Sequence, residues 1–478
     1  MAAWIWVLSI LSYSCFTCAL RHKTSDSFTS KTELSHLAVN HETGTVYLGA
    51  MNFLYQLTKD LKPYPSIGDV TTGPHNDNKM CTPPIDESQC TEAKLTDNYN
   101  KILLLDTLEK KIVICGSLFK GICSIRELEN ISNRTYYENG SGEKSFVASN
   151  DENVATVGLI TSLEKGRMMF VGKGNGVSDN GIIISTRQLF NKEGREIFEL
   201  YADPAVIKSA YPSSSTQEFL YIFEDNRYVY FIFNEHLKQP LKNRTIIARL
   251  CKEDEHYHSY FEMDLECKDK SGPYNQCNAV YAAAPGQILL DSITLSRQDD
   301  IAPSEKILIA LFQRINKDKN SLESALCMFS LRQINQKMEE KREKCYKRSG
   351  LGVFYKPFVA DSVLCNSKTH QVFLANPAKE YGGGVFEKNQ AIKKDLVLDA
   401  LQEHLYLMTA NKVFRLPVQE CDIYYTCDQC INAQDPYCGW CVTEGKSIVQ
   451  DPFDKLYRLF SLADQSNSQI PEVDISWK

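Results

Sequence analysis

"HLAVNHETGTVYLGAMNFLYQL", residues 36–57, decides the fold. Two alternating apolar runs flank the polar turn Glu42-Thr43-Gly44, and Gly49 and a third run follow. Successive side chains of a strand point to opposite faces, so period-two alternation interrupted by a Gly-bearing turn reads as antiparallel strands. The plan recurs. Residues 101–125, "KILLLDTLEKKIVICGSLFKGICSI", put Gly116 where Gly49 stands, and residues 154–186 put Gly172 there. Residues 218–234 form a hairpin about Asp225-Asn226, 305–313 and 325–331 read as two more strands, and 404–418 turn at Ala410-Asn411. Meanders repeated over roughly 400 residues predict an all-β chain built as a β-propeller, in which each sheet buries a face on the next and radial closure protects the edges. A large sandwich is the alternative, but it rarely needs so many hairpins. One stretch departs from the pattern: "LRQINQKMEEKREKCY", Leu331–Tyr346, is charged and of helical propensity, and is expected as a solvated surface helix beside a blade.

The compartment is read at the N-terminus. Trp4 to Phe16 is apolar, and the small residues Thr17 and Ala19 stand like a cleavage site, so residues 1–19 read as a secretory leader. The stretch is shorter than the roughly 20 apolar residues of a membrane span, and no later segment reaches that length. A secreted or extracellular chain without a span is expected. Four N-x-S/T sequons, at Asn130, Asn133, Asn139 and Asn243, agree, the first three clustered in one hydrophilic stretch. Of the 17 Cys, 15 remain once Cys15 and Cys18 leave with the leader. That is an extracellular number, and an odd one, so at least one thiol lacks a partner within the chain. "CDQCINAQDPYCGWC", residues 427–441, carries two C-x-x-C pairs that by spacing alone suit zinc, redox chemistry or disulfides. The compartment favours disulfides.

Net charge is −7, with acid and base interspersed and no basic stripe, which speaks against nucleic acid. "GSGEKS", Gly140 to Ser145, lacks the strand and the Gly-Lys order of a phosphate loop. "VGKGNG", Val171 to Gly176, runs into a strand, so it lacks the helix N-terminus that would hold a phosphate. His256 and His258 are spaced to share a strand face as metal ligands do, but their polar neighbours read as an exposed strand end. No catalytic set stands out. The expectation is a binding module, not an enzyme, with no cofactor and no metal.

"MCTPPIDESQC", "CGSLFKGICSIREL", "GEKSFVASNDENVATVGLI" and "DPYCGWC", in this order, resemble the plexins, most closely class B. The resemblance runs from about Leu34 to Gly445 and implies a seven-bladed sema propeller over residues 20–419, then a cysteine-rich PSI domain, here partial, over 420–446. It implies disulfides Cys81–Cys90, Cys115–Cys123, Cys267–Cys327, Cys345–Cys365 and Cys421–Cys438. The chain departs from the family in three places. A family cysteine is absent at Ser447, and residues 447–478 read as a divergent tail, which leaves Cys427, Cys430 and Cys441 without family partners. The stretch after Cys365 is shortened by most of a late blade, and with it goes the partner of Cys251. Cys277 has no assigned partner.

Plexins are semaphorin receptors whose propellers meet their ligands edge to edge around the third and fourth blades. The resemblance therefore implies semaphorins as partners, class four first. By position the contact maps to Lys173–Gly181, with Lys173 and Asp179 as exposed charges, and to Tyr201–Pro212, with Asp203, Lys208 and the aromatic Tyr211. Without the family's membrane and signalling parts the chain reads as a soluble decoy. The alternatives are a semaphorin-like secreted ligand, or a non-functional splice or gene-model product.

Overall fold

In a computed structural model, the recurring meanders become six four-stranded antiparallel sheets. The structure describes residues 26–138, 143–174, 181–191, 197–203, 205–208, 215–237, 243–269, 272–274, 276–284, 305–316, 321–348, 373–374, 393–401 and 403–417, with 425–427, 429, 438–441 and 446–449. Sheet 1 holds Leu34–Val39, Val46–Ala50, Phe53–Leu57 and Val70–Thr71. Sheet 2 holds Asn100–Asp106, Lys111–Gly116, Cys123–Glu127 and Arg134–Tyr137. Sheet 3 holds Thr156–Leu163, Gly166–Lys173, Ile182–Asn191 and Val206–Lys208. Sheet 4 holds Ser215–Asp225, Tyr228–Leu237, Arg244–Cys251 and Phe261–Asp264. Sheet 5 holds Gln276–Ala283, Ile307–Asn316, Ser321–Ser330 and Phe373–Leu374. The closing sheet joins Leu396–Leu398, His404–Met408 and Lys412–Pro417 to the first described strand, Asp26–Thr29, with Phe28 opposite Val413. This is a β-propeller, with six blades among the described residues.

Sheets 1 to 5 are meanders in chain order whose first strands lie innermost, against one another, and the alternation of the sequence sorts their side chains between two neighbours. In sheet 2, Leu103, Ile112 and Ile114 pack toward sheet 1 with Tyr47 and Leu54. Ile102, Val113 and Cys115 pack toward sheet 3 with Met169 and Val171. Both faces are buried, which is why residues 101–125 are so densely apolar. The recurring glycine has the same cause. A Cβ on Gly49 would lie 2.1 Å from Asn100 Oδ1 of sheet 2, and one on Gly172 would lie 2.5 Å from the Phe219 ring of sheet 4. Glycine at that point of the second strand lets the next sheet's innermost strand approach the backbone.

The helix, Leu331–Arg348, corrects an expectation. It is not merely a solvated neighbour: Leu331, Ile334 and Met338 are buried in the core of sheets 4 and 5. Those residues recur at the spacing of one helix face. Tyr230 and Arg249 of sheet 4 each donate to Asn335 Oδ1 at 2.9 Å, and Arg249 also pairs with Glu339 at 2.5 Å. Ser330 Oγ accepts the Gln333 N–H at 3.2 Å, as an N-cap serine does.

The chain divides into two compact units, residues 1–400 with 406–415, and 401–405 with 416–478. In the second, Cys438–Cys441 pairs antiparallel with Lys446–Val449, Trp440 opposite Ser447. The divergent tail expected from Ser447 therefore begins with residues that complete a hairpin.

Candidate partner-binding edge

Among the described residues three cross-links brace the propeller: Cys81–Cys90, Cys115–Cys123 and Cys267–Cys327. Cys365 and Cys421, the expected partners of Cys345 and Cys438, lie outside the described residues. Cys251, Cys277 and Cys427 are free thiols. Burial pushes the Cys277 thiol up to about 12. The Cys81–Cys90 loop belongs to a projection that carries the short hairpin His75–Asp77 with Lys94–Thr96. It is pinned to the propeller. Asp77 Oδ2 accepts the Phe119 N–H at 2.9 Å, and Lys79 Nζ lies 2.7 Å from Glu152.

The edge of sheet 3 that borders sheet 4 is the region the sequence singled out. Its outermost strand, Val206–Lys208, places Lys208 opposite Ile182, the residue after the Lys173–Gly181 stretch. The outer strand of the second stretch thus pairs with the strand that follows the first. Lys208 and Asp203 are exposed. Asp179 and Tyr211 lie outside the described residues.

Lys173 is a correction. It is 2% exposed and its Nζ donates to Ala148 O at 3.3 Å. As the last residue of its strand it lies between sheets 2 and 3, so its charge serves the fold and not the edge. Tyr201 is buried as well, at 2%. Burial first, then the carboxylates of Glu255, Glu253 and Glu164, push its phenol up to about 12. Lys165 lies over the Tyr201 ring, 5.4 Å from its centroid, and pairs with Glu255.

The loop that carries His256 and His258, expected as an exposed strand end, completes this edge. His256 and His258 lie in the loop between Arg244–Cys251 and Phe261–Asp264, exposed and with rings stacked 5.4 Å apart, not on a strand. Tyr257 between them has φ 58° and is buried, its hydroxyl 2.7 Å from Thr186 Oγ1 of sheet 3. Asp254 accepts from Ser259 N and Oγ at 2.6 Å, which folds the loop back. Of the Gly-rich motifs, Glu143–Ser145 forms one 3-10 turn, and the strand ending at Lys173 is followed by the strand from Ile182. Among the described residues neither opens an α-helix that would cradle a phosphate.

The chain matches the Sema domain family model over residues 290–398 and the PSI, or plexin repeat, model over 420–452, six residues past the expected boundary at Lys446. It is 44% identical to mouse plexin-B2 over 512 residues, covering 93% of this chain and 27% of that protein. To human plexin-B1 it is 26% identical, covering 93% of this chain and 23% of that protein. It spans about a quarter of the length of these curated relatives. Among solved structures, the plexin A4 extracellular region superposes with a TM-score of 0.73 at 23% identity, over 91% of this chain and 55% of that one. Drosophila semaphorin 2a does so with a TM-score of 0.56 at 14% identity, over 90% and 81%. Another matched structure is Drosophila plexin A in complex with semaphorin 1b, at a TM-score of 0.55 and 14% identity, over 90% of this chain and 93% of that one. No helix among the described residues is long and apolar enough to cross a membrane.

Proposed function

Taking the chain as the N-terminal sema and PSI region of a class B plexin, a receptor's binding region and not an enzyme, we propose that it binds semaphorins, class four first. The observation that carries the reading is 44% identity to plexin-B2 across 93% of the chain. The contact surface is the outer edge of sheet 3 beside sheet 4. Asp203 and Lys208 are its exposed rim charges among the described residues, and Asp179 and Tyr211 extend it. Interfaces are dominated by a few anchors, often aromatic, so Tyr211 is the anchor. Rim charges act chiefly on association rate.

The same reading carries finer proposals. The propeller follows a seven-bladed plan with most of one late blade lost, a reading that rests on the likeness to the plexins. The chain is secreted and bears N-glycans. Asn133 is exposed and Asn130 and Asn243 half-buried, while Asn139 lies outside the described residues. Cys345–Cys365 and Cys421–Cys438 complete the disulfides. As a free chain it acts as a decoy by occupying the ligand.

The test is surface-immobilised binding of a class four semaphorin panel to the purified chain, Tyr211→Ala and Lys208→Glu, each with an unchanged melting temperature. The parent binds, Tyr211→Ala weakens binding at least about tenfold, and Lys208→Glu slows association at low salt. A folded parent that binds no semaphorin ends the reading. Two variants that bind like the parent end only this placement of the edge.

A further inference from the structure

In sheet 2 one rank of side chains runs outward on the face turned to sheet 1. Leu105 stands opposite Ile112, Ile112 opposite Arg126, and Arg126 opposite Arg134. The inner two are apolar and the outer two are cations. Side chains directly opposed on an antiparallel pair share a face and interact, and like charges there repel.

Arg126 is 7% exposed. Its Nη1 donates to Ile131 O at 2.8 Å, and its Nε is buried with no partner. Burial first, and then the charge of Arg134, bring its guanidinium down to about 10. Arg134 is exposed, its Cζ 4.2 Å from the centroid of the Tyr137 ring. Among the described residues neither guanidinium is paired with a carboxylate. The acids beside them in sequence are taken by lysines, Glu127 by Lys111 at 2.6 Å and Glu129 by Lys110 at 3.7 Å.

The loop between the two arginines is fastened to sheet 1. Gln56 Nε2 donates to Glu129 O at 3.0 Å, and Gln56 Oε1 accepts the Ile131 N–H at 3.2 Å. The Tyr47 hydroxyl donates to Leu128 O at 2.7 Å, and Glu127 N donates to Asn133 O at 3.0 Å. The carbonyl that holds Arg126 is therefore fixed before anything approaches the pair. Capping that carbonyl uses a single N–H of the guanidinium and gives no reason for a second arginine opposite. An oxyanion gives one. Its oxygens match the planar fork of a guanidinium, and its charge offsets the repulsion between the two.

We propose that Arg126 and Arg134 form an oxyanion site on the outer part of sheet 2, beside sheet 1. It takes a sulfate-type oxyanion, as the free ion or as the ester on a sulfated polysaccharide. The site lies away from the edge of sheet 3 and does not depend on the semaphorin reading.

Calorimetric titration of the full secreted chain tests it, with sodium sulfate replacing chloride at constant ionic strength. The parent should bind sulfate saturably. Arg134→Gln, an exposed change whose melting temperature should match the parent's, should weaken binding at least about tenfold, as loss of a charge-assisted hydrogen bond does. Lys110→Gln, which removes an exposed charge nearby, should change it by less than about twofold, because such charges are screened. No saturable binding by the parent, an Arg134→Gln chain that binds like the parent, or an equal loss in Lys110→Gln would each overturn the site. A sulfated heparin disaccharide and its desulfated form identify the source. Tighter binding of the sulfated form than of free sulfate supports the site with the ester as its ligand, and binding no tighter supports it with the free ion. A desulfated form that binds as tightly as the sulfated one overturns the oxyanion.

Discussion

Arg167 grips Asp106 across the seam between sheets 2 and 3, Nε 2.9 Å from Oδ2 and NH2 2.6 Å from Oδ1. The carboxylate is fully buried and the guanidinium is 14% exposed. Two parallel bonds of this kind match the planar fork of arginine to a carboxylate. Removing the cation leaves a charge in the interior with nothing to balance it, so Arg167→Met should cost roughly 3 kcal/mol or more. The measurement is the denaturant midpoint. A loss under about 1 kcal/mol would mean that the pair behaves like a surface one.

Gly172→Ala should destabilise the propeller by about 1–3 kcal/mol, because the new methyl meets the Phe219 ring and the interior has no room to yield. Phe219→Leu in the same chain should recover part of that loss. Thermal melts of the parent, the two singles and the double give the coupling. Additive effects would show that the glycine is not there for the ring.

Helix docking makes a contrast within one element. Met338→Ala, at a fully buried position in the core of sheets 4 and 5, should cost about 2–5 kcal/mol. Gln336→Ala, on the exposed side, should change stability by less than about 0.5 kcal/mol. Equal small effects would return the helix to a solvated ornament.

Cys277 predicts a pH dependence. Its folded thiol is raised from 9.0 to about 12, while an unfolded chain ionises near the ordinary value. The unfolded state therefore loses this proton first as pH rises. The contribution is fully present below pH 9.0 and drains away between there and about 12, at up to about 1.4 kcal/mol per pH unit. Cys277→Ala should flatten the fall in stability above pH 9.0 relative to the parent. The same burial should leave Cys277 unlabelled by a thiol reagent in the native chain while the half-buried Cys251 reacts. Equal labelling would contradict the burial.

Replacing Cys267 and Cys327, 60 residues apart, together by serine removes one cross-link and should cost about 4 kcal/mol in the chain-entropy model. Non-reducing peptide maps should show that link beside Cys81–Cys90 and Cys115–Cys123, and the double variant's denaturant midpoint gives the loss. Reshuffled pairs in the parent map would refute the assignment.

The meanders were legible because sheets such as 2 and 3 bury both faces and the turns carry Gly or Asn, so "KIVIC" and "RMMFV" stand out from any background. Gly49 and Gly172 were visible as a repeat, although their reason, the approach of Asn100 and Phe219, is a fact of packing. Other features left no periodic trace. "DSFT", residues 26–29, is short and polar and becomes a strand only because a late sheet offers it an edge. Leu331, Ile334 and Met338 did lie at helical spacing, but the charges around them masked the stripe. Lys173 beside a Gly-rich loop reads as solvated, and nothing in the sequence shows that Ala148 O waits for it. Lys208 could not be placed opposite Ile182, because a three-residue outer strand carries no register of its own.

The strand Asp26–Thr29 pairs with residues near the far end of the propeller, Asp26 opposite Arg415, 389 positions later. A ribosome that adds about 5–20 residues per second delivers the first of these tens of seconds before the second. Through that interval the closing sheet lacks its last strand, and the earliest residues of the ring must stay unpaired until the latest arrive. Synthesis halted anywhere before Lys412 leaves this partner unmet, however well the upstream sheets have formed.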